Sequence, residues 1–275
     1  MYESWGEPSL FRRYLTLLRV EPTRPSYTAL EELVAAHVMT IPFENISKLH
    51  YLRRGDLRYM PSLEQYLTGI ERFNFGGTCY SNNYYFHQLL KYLGFQVMLC
   101  GADIGTPDSH LVNIVSVDDR EFLVDTGYAA PFMAPLPRDL ATDYEVQLGR
   151  DRYVLKPRDG NGCSRMELYR DGELIHGYTA KPIPRQIEHF APIIERSFRD
   201  EATFMNSLLL VRFYEGRSSV IFNLSVIESE GSSYSIQTLP SKAELPTVVE
   251  RSFGIPVDIA REAISMLGEL RSAWN

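Results

Sequence analysis

The stretch NFGGTCYSNNYYF, residues 74–86, places a cysteine just after a glycine pair and at the start of a helical pattern. After Cys79, apolar residues recur at every fourth position: Tyr85, Leu89 and Leu93. This spacing is typical of one face of a helix. Gly94 follows as a helix-terminating glycine does. The pattern predicts a helix that begins at Cys79, with Thr78 in position to cap it.

Two roles are open for Cys79. At a helix N-terminus the partial positive charge of the helix favours a thiolate, the reactive form of cysteine. The preceding Gly76 and Gly77 also allow a substrate to approach the backbone closely. However, free cysteine is most often a small buried apolar residue. The local pattern alone therefore predicts either a nucleophile or a core thiol.

A catalytic thiol needs a base, and the base needs an orienting group. The segment SHLVNIVSVDDREFLVDTGY, residues 109–128, offers His110 and Asp125 on one predicted hairpin. If Asp118 and Asp119 form a two-residue turn, His110 lies opposite Gly127 and Asp125 lies one diagonal step away. Such neighbours have Cα atoms about 7–8 Å apart, which lets an imidazole meet a carboxylate. A different turn would shift this register.

Composition and charge exclude several classes of protein. The 275 residues carry a net charge of −7 without a long basic run, which argues against nucleic acid as a partner. No apolar stretch reaches the about 18 residues of a membrane span, and residues 1–15 do not resemble a signal peptide. The three cysteines lack metal-ligand spacing, so we expect no metal site. Their odd, sparse count fits a reducing cytoplasm, and Cys100 and Cys163 are interpreted as structural or incidental.

The order of elements predicts an α+β architecture in three modules. Helical patterns cover residues 8–20 and 26–41, and short β-branched runs begin near residue 95. These runs indicate a small antiparallel sheet or barrel. Two further strands are predicted over 207–214 and 218–226, before a helical C-terminal end.

Several motifs together resemble those of the arylamine N-acetyltransferases, a family with a Cys-His-Asp triad in this chain order. The motifs are IPFEN (41–45), GGTCYSNN (76–83), HLVNIV (110–115), LVDTGY (123–128), YTAKPIPRQIEHF (178–190), ERSFRDEATF (195–204) and RSFGI (251–255). They extend over nearly the whole chain.

The resemblance implies a fold of three domains. Residues 1–94 would form a helical bundle that carries the nucleophile, and residues 95–195 an antiparallel β-barrel that carries His and Asp. Residues 196–275 would form an α/β lid. Papain-like proteases and transglutaminases share such a Cys-His-Asp core.

The resemblance also implies a chemistry. Acetyl-CoA would be the co-substrate, and Cys79 would carry the acetyl group as a thioester in a ping-pong reaction. An aromatic amine or hydrazine would accept it, as in xenobiotic metabolism. The implied acceptor pocket has walls at Phe43, Tyr128 and Phe204. The implied CoA contacts are Thr106, Ser109 and Phe213, with Thr106–Ser109 as a loop at the cleft mouth.

Two residues near Cys79 depart from the family pattern. The family's arginine before the glycine pair is Phe75 here, and its glutamate two residues after the cysteine is Ser81. Glu44 of the IPFEN motif therefore lacks the cationic partner that the family provides. Three alternatives stay open: a Cys-His-Asp amide hydrolase or transglutaminase, an amide synthase with another acyl donor, and a binding protein without turnover.

Overall fold

The computed structural model describes residues 8–271. Its helices are α1 (Pro8–Leu18), α2 (Tyr27–Thr40), α3 (Ile46–Gly55), α4 (Leu63–Phe73), α5 (Cys79–Tyr92), α6 (Ile187–Arg196), α7 (Thr203–Asn206), α8 (Leu245–Phe253) and α9 (Val257–Ser265). Its strands are β1 (Phe43–Glu44), β2 (Gln96–Ile104), β3 (Thr106–Val117), β4 (Arg120–Val124), β5 (Leu136–Pro137), β6 (Tyr144–Leu148), β7 (Asp151–Leu155), β8 (Ser164–Arg170), β9 (Glu173–Pro184), β10 (Leu209–Tyr214), β11 (Arg217–Phe222), β12 (Ser225–Glu230) and β13 (Ser233–Thr238). The predicted α+β class is confirmed.

Helices α1 and α2 form where the sequence predicted them, whereas α3 was not predicted. The backbone N–H of Ala29 donates to the Ser26 hydroxyl at 3.2 Å, which caps α2. Ser62 and Gln65 form a reciprocal capping box at the start of α4. The apolar face of α1 is buried, and it contributes Phe11, Tyr14, Leu15 and Leu18 to the main core. Local capping and helical spacing thus explain these helices.

The larger sheet is antiparallel and has the strand order β5-β4-β3-β2-β9-β8-β7-β6. Residues from strands along its whole width share one buried cluster, so the sheet curls into a nearly closed barrel. This confirms the predicted barrel. No helix within residues 8–271 is long and apolar enough to cross a membrane.

The β3–β4 hairpin has the predicted register. Asp118 and Asp119 have φ values of 51° and 58°, as a two-residue hairpin turn with both central residues left-handed requires. Asn113 lies opposite Val124, as the turn dictates. The Asp118 carboxylate accepts a hydrogen bond from the Tyr27 backbone N–H at 2.8 Å, which ties the turn to the start of α2.

The second sheet has the order β1-β10-β11-β12-β13 and joins distant parts of the chain. Phe43 and Glu44 of β1 pair with Val211 and Leu210, so the IPFEN motif provides an edge strand to the C-terminal sheet. The prediction of one strand over 218–226 was wrong. The chain turns at Asn223, whose φ is 52°, and this divides the segment into β11 and β12.

The division into domains 1–94, 95–195 and 196–275 remains our proposal. Residues 1–7 and 272–275 lie outside the described part of the chain.

We expect Asp119→Gly to raise the free energy of unfolding by about 0.5 kcal/mol. A left-handed conformation costs a non-glycine residue about 1 kcal/mol, and the added chain entropy of glycine offsets about half of this. Urea unfolding followed by circular dichroism measures the change. Asp118→Gly is the control, because it relieves the same strain but removes the acceptor for Tyr27. A larger gain for Asp118→Gly would contradict this explanation of the turn.

Candidate active site

Cys79 is the first residue of α5, and its side chain is half-buried. The helix ends before Gly94, whose φ of 87° fits the predicted terminating glycine. Thr78 occupies the N-cap position, but its hydroxyl makes no capping hydrogen bond, so the predicted side-chain cap was wrong. The N-terminus of α5 therefore keeps backbone N–H groups beside the thiol.

His110 and Asp125 form a buried pair. The distance from His110 Nε2 to Asp125 Oδ2 is 2.7 Å, and both residues are 2% exposed. Cys79 and His110 line the same cleft, and the interaction with Cys79 helps to raise the pKa of His110. Because Nε2 is held by Asp125, Nδ1 is the ring nitrogen left for the thiol. The structure thus brings together the three side chains singled out in the sequence.

Burial and charge act in opposite directions on this pair. Burial disfavours a charged imidazole, but Asp125 and Cys79 outweigh it and raise the pKa of His110 to about 10. Burial also opposes ionisation of Asp125, yet His110, the Asn83 amide and the Gly127 N–H lower the pKa of its carboxyl. The arrangement favours an imidazolium beside a carboxylate, which is the partner that a thiolate needs.

Asn83 connects helix α5 to the hairpin and was not singled out in the sequence. Its amide Nδ2 donates to Asp125 Oδ1 at 2.8 Å and to the Leu111 carbonyl at 2.7 Å. Its Oδ1 accepts from the Thr126 backbone N–H at 2.8 Å. The available signal was spacing, because residues four apart share one helix face and Asn83 follows Cys79 by four.

Glu44 is wholly buried and binds backbone groups. Its two carboxylate oxygens accept from the N–H groups of Ser47 at 2.8 Å and Gly76 at 3.0 Å. Burial raises the pKa of this carboxyl, and these hydrogen bonds oppose the rise. Phe75, at the family's arginine position, is 1% exposed and packs against His50 and Phe73. The Glu44 carboxylate is therefore bound by backbone N–H donors, and the arginine of the family pattern is absent.

A cleft of about 860 Å³ opens beside Cys79 and His110, between the barrel and the second sheet. Of the residues predicted for substrate or CoA, it is lined by Phe43, Ser109, Tyr128, Phe204 and Phe213.

The walls of this cleft are largely apolar and partly fixed by side-chain contacts. The Phe43 and Phe204 rings lie 5.6 Å apart between centroids. The Tyr128 hydroxyl is 2.5 Å from His176 Nδ1. Asp125 lies behind His110 and does not line the cleft.

The expected loop at Thr106–Ser109 is part of strand β3, so that expectation was wrong. The chain turns earlier, at Gly105, whose φ of 67° suits a tight turn. Ser109 Oγ then lies 2.8 Å from the Ile104 carbonyl and holds the strand ends together. Thr106 is exposed and is not among the residues that line the cleft.

A bridge joins the two walls of the cleft. The N–H of Gly149, in the β6–β7 turn, donates to the carbonyl of Gly231, in the β12–β13 turn, at 2.7 Å. A Cβ at position 149 would lie 2.8 Å from Ser229 Oγ, so a side chain there would force the turns apart. The Arg150 guanidinium lies over the Tyr234 ring, 5.1 Å from its centroid.

Within residues 8–271, no group of three His, Cys, Asp or Glu side chains is arranged to hold a metal ion.

A cysteine at a helix start beside a His–Asp pair on a barrel is the arrangement of thiol-dependent acyl-transfer sites. The sequence profile of the N-acetyltransferase family matches residues 26–262. The chain belongs to this family, which includes the arylamine N-acetyltransferases. Its members are acyltransferases.

The curated relatives include a synthase and several arylamine N-acetyltransferases. Proansamycin X synthase of Amycolatopsis mediterranei is 29% identical over 163 residues, which cover 56% of this chain and 60% of the relative. An arylamine N-acetyltransferase of Gallus gallus, the pineal gland isozyme NAT-3, is 29% identical over 42% of this chain and 41% of the relative. The chain thus spans less than two thirds of these two proteins. An arylamine N-acetyltransferase / N-hydroxyarylamine O-acetyltransferase of Salmonella typhimurium is 24% identical over 91% of this chain and 90% of the relative.

Solved structures share the fold along almost the whole chain. The arylamine N-acetyltransferase of Nocardia farcinica has a TM-score of 0.78 and 25% identity, and covers 94% of this chain and 95% of that one. The Mycobacterium marinum arylamine N-acetyltransferase, solved in complex with CoA, has a TM-score of 0.77 and 20% identity, with 94% and 100% covered.

The raised pKa of His110 makes stability depend on pH. Between about pH 6.5 and 10 the folded chain holds a proton on His110 that the unfolded chain has released. The stability from this proton is full below about pH 6.5 and is lost as the pH rises through 10, with a slope of up to about 1.4 kcal/mol per unit. We expect Asp125→Asn to flatten this decline, because it removes the charge that raises the pKa of His110.

Urea unfolding at several pH values across this range measures the slope, with Cys79→Ala present in every chain compared so that no thiol proton is gained or lost. Asp139→Asn is the matched control, because it breaks an exposed pair with Arg120 and leaves His110 untouched. Equal slopes with and without Asp125→Asn would show that the carboxylate does not hold the imidazolium.

Proposed function

We propose that this protein transfers an acetyl group from acetyl-CoA to an aromatic amine or hydrazine through an acetyl-cysteine on Cys79. The observation that carries the proposal is the 2.7 Å contact of His110 with Asp125, together with a thiol at the start of a helix that lines the same cleft as His110. Cys79, His110 and Asp125 are the proposed catalytic residues.

In the first half-reaction, His110 accepts the thiol proton at Nδ1 and becomes an imidazolium held by Asp125. The Cys79 thiolate attacks the thioester carbonyl, and the developing oxyanion lies near the N-terminus of α5. The Cys79 backbone N–H is the proposed donor to it. Collapse breaks the bond to the CoA sulfur, which takes the proton from His110, and leaves acetyl-Cys79.

In the second half-reaction, the amine nitrogen attacks the acetyl carbonyl and His110 accepts the proton that the nitrogen loses. The bond to Cys79 breaks, the amide leaves, and the thiolate–imidazolium pair forms again. An aromatic amine suits this step, because it is unprotonated at neutral pH and its lone pair is available. A single site serves both halves, so the kinetics are ping-pong.

Both substrates would use the same cleft in turn. Phe43, Tyr128 and Phe204 provide aromatic walls that suit a planar amine. Ser109 and Phe213 also line the cleft and remain proposed contacts of the CoA arm. Thr106 is exposed at the start of β3, so we place it only near the entrance. A CoA-bound structure of a protein with the same fold supports CoA as the proposed donor.

We expect acetyl-CoA alone, without an amine, to add the mass of one acetyl group to the chain. Cys79→Ala should abolish the adduct, and Cys163→Ala should retain it, because Cys163 is also half-exposed but lies outside the cleft. Intact mass spectrometry measures both, and an aromatic amine should then discharge the adduct. An adduct that persists in Cys79→Ala would identify another nucleophile.

The same experiment separates two of the alternatives. Rapid loss of the acetyl group to water, with or without amine, would indicate a hydrolase. Absence of any adduct, together with binding of CoA or amine, would indicate a binding protein without turnover.

The size of the cleft favours a second candidate function, an amide synthase with a larger acyl donor. A volume of about 860 Å³ lies near the upper end of small-molecule sites, and apolar side chains from both sheets line it. A relative of this chain is named proansamycin X synthase. The same triad would serve this reaction, since only the acyl group differs.

Acyl-chain length tests this second candidate. If the cleft holds the acyl chain, acyl-enzyme formation should be at least as fast with hexanoyl-CoA as with acetyl-CoA. Val220→Phe should then slow hexanoyl transfer about tenfold with little effect on acetyl, because Val220 lines the cleft. Ile236→Phe is the control, since Ile236 is exposed and lies outside the cleft. A steep loss of rate beyond acetyl in the wild type would exclude this candidate.

A further inference from the structure

Lys48, on helix α3, is half-buried and carries an ammonium that the proposed mechanism does not use. Its Nζ donates to the carbonyl and to the hydroxyl oxygen of Ser197, each at 2.7 Å. The Ser197 hydroxyl donates its own hydrogen to the Ile194 carbonyl at 2.6 Å, so it can accept from the lysine. Nζ also lies 3.9 Å from the centroid of the Phe198 ring. These contacts fix the ammonium in one place.

The ammonium has no acidic partner among residues 8–271. No Asp or Glu oxygen of these residues lies within the 4.0 Å of an ion pair with Nζ. Buried lysines are usually paired, because an isolated charge is costly in a medium of low dielectric constant. Its positive field is therefore not cancelled by a neighbouring carboxylate.

Lys48 lies near the N-terminus of α5, while Cys79 itself lines the main cleft. Lys48 lines a cavity of about 30 Å³ together with Thr78 and Tyr80, the residues on either side of Cys79. The cavity is large enough for a single water molecule. Burial lowers the pKa of Lys48 to about 7, and the negative charge of an ionised Cys79 opposes this shift. A negative charge on the thiol thus favours the charged form of the lysine.

Ser81 explains why the charge of the Lys48 ammonium is not neutralised by a nearby carboxylate. It lines the same cavity as Lys48, and it replaces the glutamate of the family pattern. A carboxylate at this position would lie close to the ammonium and neutralise it. With serine there, the ammonium remains the one cation of the residues that line this cavity.

The three tyrosines that line the cavity stay neutral near pH 7. Burial raises the pKa of Tyr51 to about 12, and it also raises the pKa values of Tyr59 and Tyr80. The guanidinium of Arg196, on α6, acts on Tyr80. Among the residues that line this cavity, Lys48 is therefore the group whose charge changes across the neutral range.

We propose that Lys48 is a positioning residue that acts through Cys79, its ammonium stabilising the thiolate that the proposed His110–Asp125 pair also serves. Lys48 supplies positive charge near the nucleophile in a chain that has Phe75 at the family's arginine position. When Lys48 loses its proton, the thiolate loses this support. The reactivity of Cys79 therefore depends on pH through a second group besides His110.

Alkylation of Cys79 by iodoacetamide tests this without any acyl donor, because the reagent reacts with the thiolate. We expect Lys48→Met to slow alkylation about tenfold near pH 6, which corresponds to one unit in the ionisation midpoint of the thiol. Near pH 9 the difference should nearly vanish, because wild-type Lys48 is then neutral. Lys48→Arg should keep the rate near pH 6, since arginine remains charged.

Lys242→Met is the matched control. Lys242 is also partly buried and donates to backbone carbonyls, those of Leu267 and Gly268, but it lies outside this cavity. We expect no change in its alkylation profile. A Lys48→Met profile that superimposes on the wild type, in a variant with normal circular dichroism, would overturn the proposal.

A reciprocal measurement remains valid if substitution of Lys48 impairs folding. Coupling between two groups acts equally in both directions. The ionisation midpoint of Lys48, followed by NMR of carbon-13-labelled lysine in the intact chain, should fall in Cys79→Ala because the thiolate charge is gone. An unchanged midpoint would overturn the proposal. Neither measurement uses acetyl-CoA, so failure here is distinct from failure of the proposed function.

Discussion

The contact on which the site depends is the amide of Asn83 between helix α5 and the β3–β4 hairpin. The amide binds Asp125 through Nδ2 and the Thr126 backbone through Oδ1. It therefore fixes both the position of α5 relative to the hairpin and the orientation of the Asp125 carboxylate. The fit is close, since a Cβ at Gly127 would lie 2.7 Å from the Cys79 Cα atom. The start of helix α5 and the bend after β4 thus meet without room for a side chain at Gly127, and this closeness brings Cys79 near the hairpin that carries His110.

The IPFEN motif links the parts of the fold around this contact. The backbone of β1 pairs with β10, and the Glu44 N–H donates to the Gly77 carbonyl at 3.1 Å. The Glu44 side chain binds the Gly76 N–H. One dipeptide therefore attaches both the C-terminal sheet and the glycine pair before Cys79. The change of the family's arginine to Phe75 is tolerated because backbone donors satisfy the carboxylate.

Local signals in the sequence account for much of the fold and for the three central side chains. The Asp118-Asp119 turn defines the register, so the meeting of His110 with Asp125 follows from counting residues along two strands. Several features that depend on tertiary packing were missed. Asn223 ends β11 by a left-handed turn, and although Asn favours such turns, the apolar residues on both sides of it masked the break. Asn83, the partners of Glu44 and the burial of Lys48 depend on which segments pack against α5, and spacing along the chain does not encode this.

The bridge between Gly149 and Gly231 has a consequence for how substrates exchange. It joins one wall of the cleft, built on the barrel, to the other, built on the second sheet. Spreading the two walls apart at this edge would break the bridge and the contact of Arg150 with Tyr234. The bridge therefore closes this edge of the cleft. If the proposed donor and acceptor both use the side that is not bridged, departure of the first product would set the earliest moment at which the acceptor can arrive.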